Sequence, residues 1–204
     1  MIKLISVLAV VLVLTGCVSS KSYVDPAFGR ATYEDIKPVE EKYNTKINVE
    51  FQRNGVLLPA AYQEVRGHVE RILRASGVVV PSKEDSDVTL SVTVNNIGDV
   101  GQAAMKGFGT GLTLGAAGST VTDHYEVSIV YSDGNGEDMT KKYQHALHTT
   151  IGNSDAPFEN VQPTTMADGF GRIVEQVLLN FIQEMQTEGK LTMMSSGKDS
   201  EYNI

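Results

Sequence analysis

The sequence predicts an α+β domain: a mostly antiparallel sheet of about four strands, two helices packed on one face, and a glycine-rich insertion. Three observations carry this expectation. Four stretches, around 47–51, 88–94, 125–131 and 143–149, read as strands, three of them by alternation of apolar and polar residues. Two longer stretches repeat their apolar residues with the period of a helix. Their order is strand, helix, strand, insertion, hairpin, helix, which suits one sheet covered on one side.

Each element has its own signal. Ile47, Val49 and Phe51 alternate with Asn48, Glu50 and Gln52, and Asn54-Gly55 turns the chain. Pro59 opens a helical pattern in which Val65, Val69, Ile72 and Leu73 share a face, with Arg66, Glu70, Arg71 and Arg74 opposite. Gly77 is suited to stop it, because glycine takes the left-handed cap conformation without a Cβ penalty. Val88, Leu90, Val92 and Val94 then alternate with Thr89, Ser91 and Thr93, branched residues on one side and hydroxyls on the other. Tyr125, Val127, Ile129 and Tyr131 form the next strand. Asp133-Gly134-Asn135-Gly136 supplies two dipeptides that favour a hairpin before the strand at 143–149. In the last helix Thr164 or Thr165 is the expected cap, with Asp168 near the positive end of the dipole. Phe170, Ile173, Val174, Val177, Leu178, Phe181, Ile182 and Met185 make its apolar stripe, and Gly189 ends it.

Ahead of the domain, Lys3 precedes an apolar run, 4–14, which ends in Leu14-Thr15-Gly16-Cys17. A basic tip, a short apolar segment and small residues before a cut are the parts of a secretory leader. The run is well short of the ~20 residues a membrane-spanning helix needs. Cys17 is the only cysteine, so no internal disulfide can form, and a lone cysteine in an exported chain needs another use. Leu14 to Cys17 resembles the lipobox of bacterial lipoproteins. That resemblance implies cleavage between Gly16 and Cys17, a diacylglycerol on the Cys17 thiol, and acylation of the new amine, for instance by palmitate. A secretory leader that merely contains a cysteine is the competing reading. The expected organisation is a signal peptide at 1–16, the lipidated cysteine with a tether and extended segment at 17–45, the α+β domain at 46–189 with its insertion at 101–121, and a flexible tail at 190–204.

Composition narrows the partners. The formal charge is −8, and losing Lys3 with the leader makes the mature chain one unit more negative. No cluster of Lys and Arg offers the phosphate contacts that nucleic-acid binding requires. Attachment to a membrane is therefore expected from lipid on Cys17, at ~0.8 kcal/mol per buried CH₂, rather than from charge. The chain is 41% apolar but has no Trp and few aromatic residues, which bounds its core.

The insertion fits neither period. Its only charge is Lys106, and glycines recur at 107, 111 and 115. A loop so long and apolar is unusual in a compact domain. A close-packed loop folded over the sheet is one reading, since glycine permits tight backbone approach. The second is a contact surface for another protein or for the bilayer, using Phe108, Leu112 and Leu114. Self-association through the same segment is a further possibility. A membrane-spanning helix is disfavoured by the glycines and by Lys106. A phosphate loop is disfavoured because Gly107-Phe108-Gly109-Thr110-Gly111 lacks the following Lys-Ser/Thr.

Gly111-Leu112-Thr113-Leu114-Gly115, then Thr120-Val121-Thr122-Asp123 and Tyr125 entering a strand, resembles a segment of small uncharacterised Gram-negative lipoproteins. Those proteins often carry a bulkier apolar pair and a proline where this chain has Ala116-Ala117-Gly118, a difference that makes the segment less suited to entering lipid. The layout is more distantly similar to the lipopolysaccharide-assembly lipoprotein. The resemblance implies a non-enzymatic lipoprotein on the periplasmic side of the outer membrane that binds or helps assemble another envelope component. Val18 after the cysteine, instead of the Asp typical of inner-membrane retention, agrees with that location.

The sequence offers few residues for chemistry, and no cofactor or metal is expected. His145 and His148 are three apart on a strand, so they face opposite sides. Asp123 and His124 are adjacent and diverge if the chain is extended there. Ser119, Asp123 and His124 form the one neighbourhood from which a hydrolase could be built, and it is the enzymatic alternative, to be judged by geometry. Asp133, Glu137 and Asp138 lack the spacing of a calcium loop and read as turn formers.

Overall fold

The computed structural model describes residues 20–29, 31–83, 86–98, 118–136 and 138–192. Seven strands form one mixed sheet: β1 (Ser20–Val24), β2 (Tyr43–Arg53), β3 (Val56–Leu57), β4 (Val79–Ser82), β5 (Val88–Gly98), β6 (Ser119–Ser132) and β7 (Met139–Ile151). Among the described residues two α-helices accompany them, α1 (Tyr62–Ala75) and α2 (Met166–Thr187). The strand order is β1-β7-β6-β5-β2-β3, with β4 also paired to β2. β4 and β5 run parallel to β2, and every other pairing is antiparallel. The parallel pairs follow from α1, whose crossover returns the chain in the direction of β2.

Both helices lie on one face. Alternation decides which: Ile47, Val49, Leu90, Val92, Val94, Val127, Ile129 and Leu147 are buried beneath them, while Asn48, Glu50, Glu126 and Gln144 face outward and are exposed. Val65, Val69, Ile72 and Leu73 of α1 are buried as their spacing requires. The apolar stripe of α2 is the centre of the core, with Ile173, Phe181, Ile182 and Met185 fully buried. The Thr165 hydroxyl accepts the Asp168 N–H at 3.1 Å and donates to the Asp168 carboxylate at 2.8 Å. At the far end, Gly189 (φ +76°) lets Lys190 N–H reach the Met185 carbonyl at 2.8 Å and Gly189 N–H reach Gln186 at 3.2 Å, closing the helix in a Schellman turn.

Three expectations are corrected. The sheet has seven strands, not about four, because β1, β3 and β4 are five, two and four residues long, too short for a period to show. It is mostly antiparallel, with two parallel pairings beside the four antiparallel ones. The stretch read as a tether joins the fold from Ser20 onward, where β1 pairs with β7 and the Ser22 hydroxyl meets that of Thr149 at 2.9 Å. The tail begins later than expected, since Leu191 is buried in the core and the Tyr43 hydroxyl donates to the Thr192 carbonyl.

Two amides of α2 hold the N-terminal segment in place of a sheet. Asn180 accepts Ala31 N–H at 2.7 Å and donates to the Gly29 carbonyl at 2.8 Å. Gln186 accepts Lys37 N–H at 2.9 Å and donates to the carbonyls of Lys37 at 2.8 Å and Leu191 at 3.3 Å. Each thereby replaces the ladder bonds that an irregular segment lacks.

Candidate functional site

The ends of the strands are stepped. Arg53, Asn96, Tyr125 and His145 share one rung across β2, β5, β6 and β7. β2 and β5 stop at or just past this rung, at Arg53 and Gly98. β6, β7 and β1 continue outward to the rung of Ser119, Ile151 and Ser20. A cleft of about 290 Å³ sits in the angle of this step, on the helix side of the sheet. Phe51, Leu58, Val121, Tyr125 and Met166 supply its apolar lining, and Arg53, Asn96 and Asp123 its polar atoms.

The floor is aromatic. The Phe170 ring lies 5.5 Å from Tyr125, 5.8 Å from His68 and 6.1 Å from Phe51, distances at which edge and face contacts are favourable. Burial pushes the Tyr125 phenol well above its ordinary pKa, and the nearby Asp123 carboxylate adds to this. Asn96 Nδ2 donates to Asp123 Oδ1 at 3.3 Å. A side chain at Gly98 would stand 3.6 Å from that carboxylate oxygen and 4.0 Å from Arg53 Nη2, so glycine leaves open the space between the two charges. The arrangement can hold an apolar group with a polar end.

The register separates the residues of the hydrolase alternative. Asp123 and His124 are consecutive in β6, so Asp123 faces the cleft and the exposed His124 faces the other side. Ser119 shares the side of Asp123 but stands four residues away, ~13 Å along a strand. The other histidines are absorbed by structure. His145 is buried, lies 4.9 Å from the Phe28 ring, accepts Ala146 N–H on Nδ1 at 2.9 Å and meets Gln176 Oε1 through Nε2 at 2.7 Å. His148, on the opposite face as its spacing requires, bonds Thr122 Oγ1 at 2.9 Å and Asp25 Oδ2 at 3.1 Å under the ring of Phe158. Burial opposes ionisation of Asp25, but Ala27 N–H and His148 outweigh it and hold the carboxyl below its usual range. His68 receives Arg71 at 2.9 Å.

Asp133 behaves as a turn former, accepting Asn135 N–H at 3.0 Å and Lys190 Nζ at 3.0 Å. Among the described residues no three His, Cys, Asp or Glu side chains gather to hold a metal, and no helix is long and apolar enough to cross a membrane. Gly16, Cys17, Phe108, Leu112, Leu114 and Glu137 lie outside the described residues. Of the cleft, sequence reasoning found only Asp123 as a candidate. The exposed apolar hairpin after Asn54-Gly55, with Val56, Leu57 and Leu58 in succession, was the available signal for the rest.

No family model matches the chain, and no curated protein matches it. Among solved structures it is similar to a PelC dodecamer from Paraburkholderia phytofirmans, at 14% identity and a TM-score of 0.38, over 81% of this chain and 97% of that one. It is also similar to a DUF330 protein from Xanthomonas campestris, at 11% identity and a TM-score of 0.37, over 81% and 94%. A minor lipoprotein from Acinetobacter baumannii matches at 14% identity and a TM-score of 0.31, over 71% and 93%. A lipoprotein is thus among the chains this one is similar to. At these scores the likeness carries no argument about the site.

Proposed function

We propose that this chain is a lipid-anchored, non-enzymatic lipoprotein on the periplasmic side of the outer membrane, where it binds or helps assemble another envelope component. The observation that carries the reading is the lipobox-like Leu14 to Cys17, three residues ahead of the first strand. A chain cut before Cys17 and acylated there keeps almost no slack before Ser20, so lipid and domain are directly coupled. Val18 after the cysteine supports the outer membrane. The division of Ser119, Asp123 and His124 between positions and faces supports a binding role. Phe108, Leu112 and Leu114 are proposed contacts in the same reading, because Gly98 and Gly118, which flank their segment, stand at the stepped end of the sheet.

The test is metabolic labelling with radioactive palmitate, followed by density-gradient separation of the membranes. The native chain should carry label and travel with the outer membrane, and the Cys17→Ser variant should do neither. An unlabelled native chain would end the reading. A photo-reactive residue at Leu112 or Leu114, in the anchored protein, should give a discrete adduct with one envelope protein; a ladder of unrelated adducts, or none, counts against a dedicated partner.

A further inference from the structure

Four of the five large apolar side chains that the described residues expose gather at the stepped end. They are Val56, Leu57, Leu58 and Met166, exposed by 70, 52, 40 and 54%. Val56 and Leu57 form the edge strand β3, where exposed apolar residues invite unwanted pairing unless something covers them. The same end carries Ser20, the start of β1. Cys17 stands three residues before Ser20, a reach of at most ~10 Å for extended chain.

The outermost rungs are formed by Ser119, Thr120, Val121, Thr149, Thr150 and Ile151, with Lys21 the one charged partner among them. The loop that follows Ile151 packs on this end through the Ser154 hydroxyl, 3.3 Å from that of Thr120, and carries the exposed Asp155 and Glu159.

From these observations we infer that the stepped end is a membrane-contacting face, seated on the leaflet that holds the lipid of Cys17. The inference rests on the anchor proposed above. Its occupant is the phospholipid interface. β1 and β3 lie at opposite edges, five strand spacings or ~24 Å apart, and Ser20 stands six rungs or ~20 Å beyond Arg53. A plane that touches both is inclined, so the strands meet the bilayer normal at roughly 40°. The cleft lies between the two points of contact.

Acylation occupies the only native thiol, so a second cysteine gives a unique probe site. Lipidated protein carrying an environment-sensitive fluorophore on Leu57→Cys, Met166→Cys or Glu41→Cys is reconstituted into vesicles of phosphatidylethanolamine and phosphatidylglycerol, with and without spin-labelled lipid. Probes at 57 and 166 should shift to the blue and lose about half their emission to the spin label, as groups buried ~5–10 Å at the headgroup boundary do. The probe at 41, at the opposite end, should be unaffected. Palmitate content and flotation are measured on the same samples. Protein without palmitate that fails to float overturns the anchor, and this inference with it. Protein that floats while its probes at 57 and 166 match the probe at 41 overturns the membrane-contacting face alone. Should those positions instead form discrete protein adducts in native membranes without lipid quenching, a protein partner covers the face and the inference is again wrong.

Discussion

Replacing Gln186 by Ala removes the amide that joins α2 to both the N-terminal segment and the C-terminal turn. Gln186 is only 6% exposed and makes three hydrogen bonds, two to Lys37 and one to Leu191. Each is worth ~0.5–1.5 kcal/mol net, and the Leu191 carbonyl loses its partner where the chain is buried. Water can reach Lys37, which lowers the loss there, and Ala gains a few tenths of a kcal/mol in helix propensity. The expected cost is ~2–3 kcal/mol, which for a domain of this size lowers Tm by roughly 5–10 °C. Gln186→Glu should do at least as much damage, because it keeps an acceptor for Lys37 N–H but turns a carboxylate toward two carbonyls. Gln183→Ala, on the exposed side of the same helix, is the control. Urea and thermal unfolding of the unlipidated chain, residues 18–204, measure all three. Q186A within ~0.5 kcal/mol of Q183A, the spread of ordinary surface changes, would falsify the view that this amide substitutes for a ladder.

Three further outcomes follow from local geometry. Gly118→Ala should cost ~2–4 kcal/mol in urea unfolding, because φ is +63° and the new Cβ would stand 2.7 Å from the Asn153 backbone, which cannot yield as a side chain could. Gly169→Ala should also destabilise: its Cβ would meet Leu147 Cδ1 at 2.6 Å in a fully buried position, and overpacking of ~1–3 kcal/mol exceeds the ~1 kcal/mol gained in helix propensity. Adding Leu147→Val should recover part of that loss, and a simple sum of the two single effects would show that the contact is not the cause. Asp25 has a depressed carboxyl pKa in the folded state. Its stabilising contribution is complete above the unfolded value of ~3.9 and is lost as pH falls through the lower folded one. Asp25→Asn should therefore narrow the stability difference between pH 6 and pH 3, and an unchanged acid limb of the unfolding profile would count against the pairing with Ala27 and His148.

The elements legible in the sequence are those whose burial imposes a period on many residues. β5 shows Val88, Leu90, Val92 and Val94 in alternation because one face is buried and the other is not. α2 shows its cap at Thr165, its stripe and its stop at Gly189 for the corresponding reason at period 3.6. His145 and His148 were assignable to opposite faces because strand geometry allows nothing else. The short strands had no such signal. Ser20, Lys21 and Ser22 are polar and read as tether, yet they pair with β7 because an edge strand needs backbone groups more than apolar side chains. Val79 to Ser82 contains Pro81, which is tolerated because β4 lies at the margin of the sheet.

The sequence alone determined that the chain carries a leader-like segment closed by a single cysteine, that its domain is α+β, and that its net charge is negative. These are properties of composition and local spacing. Only the tertiary structure decided that Phe51, Tyr125 and Phe170 meet beneath one cleft, that Asp123 and His124 part company, and that Ser20, Val56 and Met166 belong to the same end of the molecule. Those relations depend on strand order and register, which bring together residues more than a hundred positions apart, and no local pattern in the sequence encodes them.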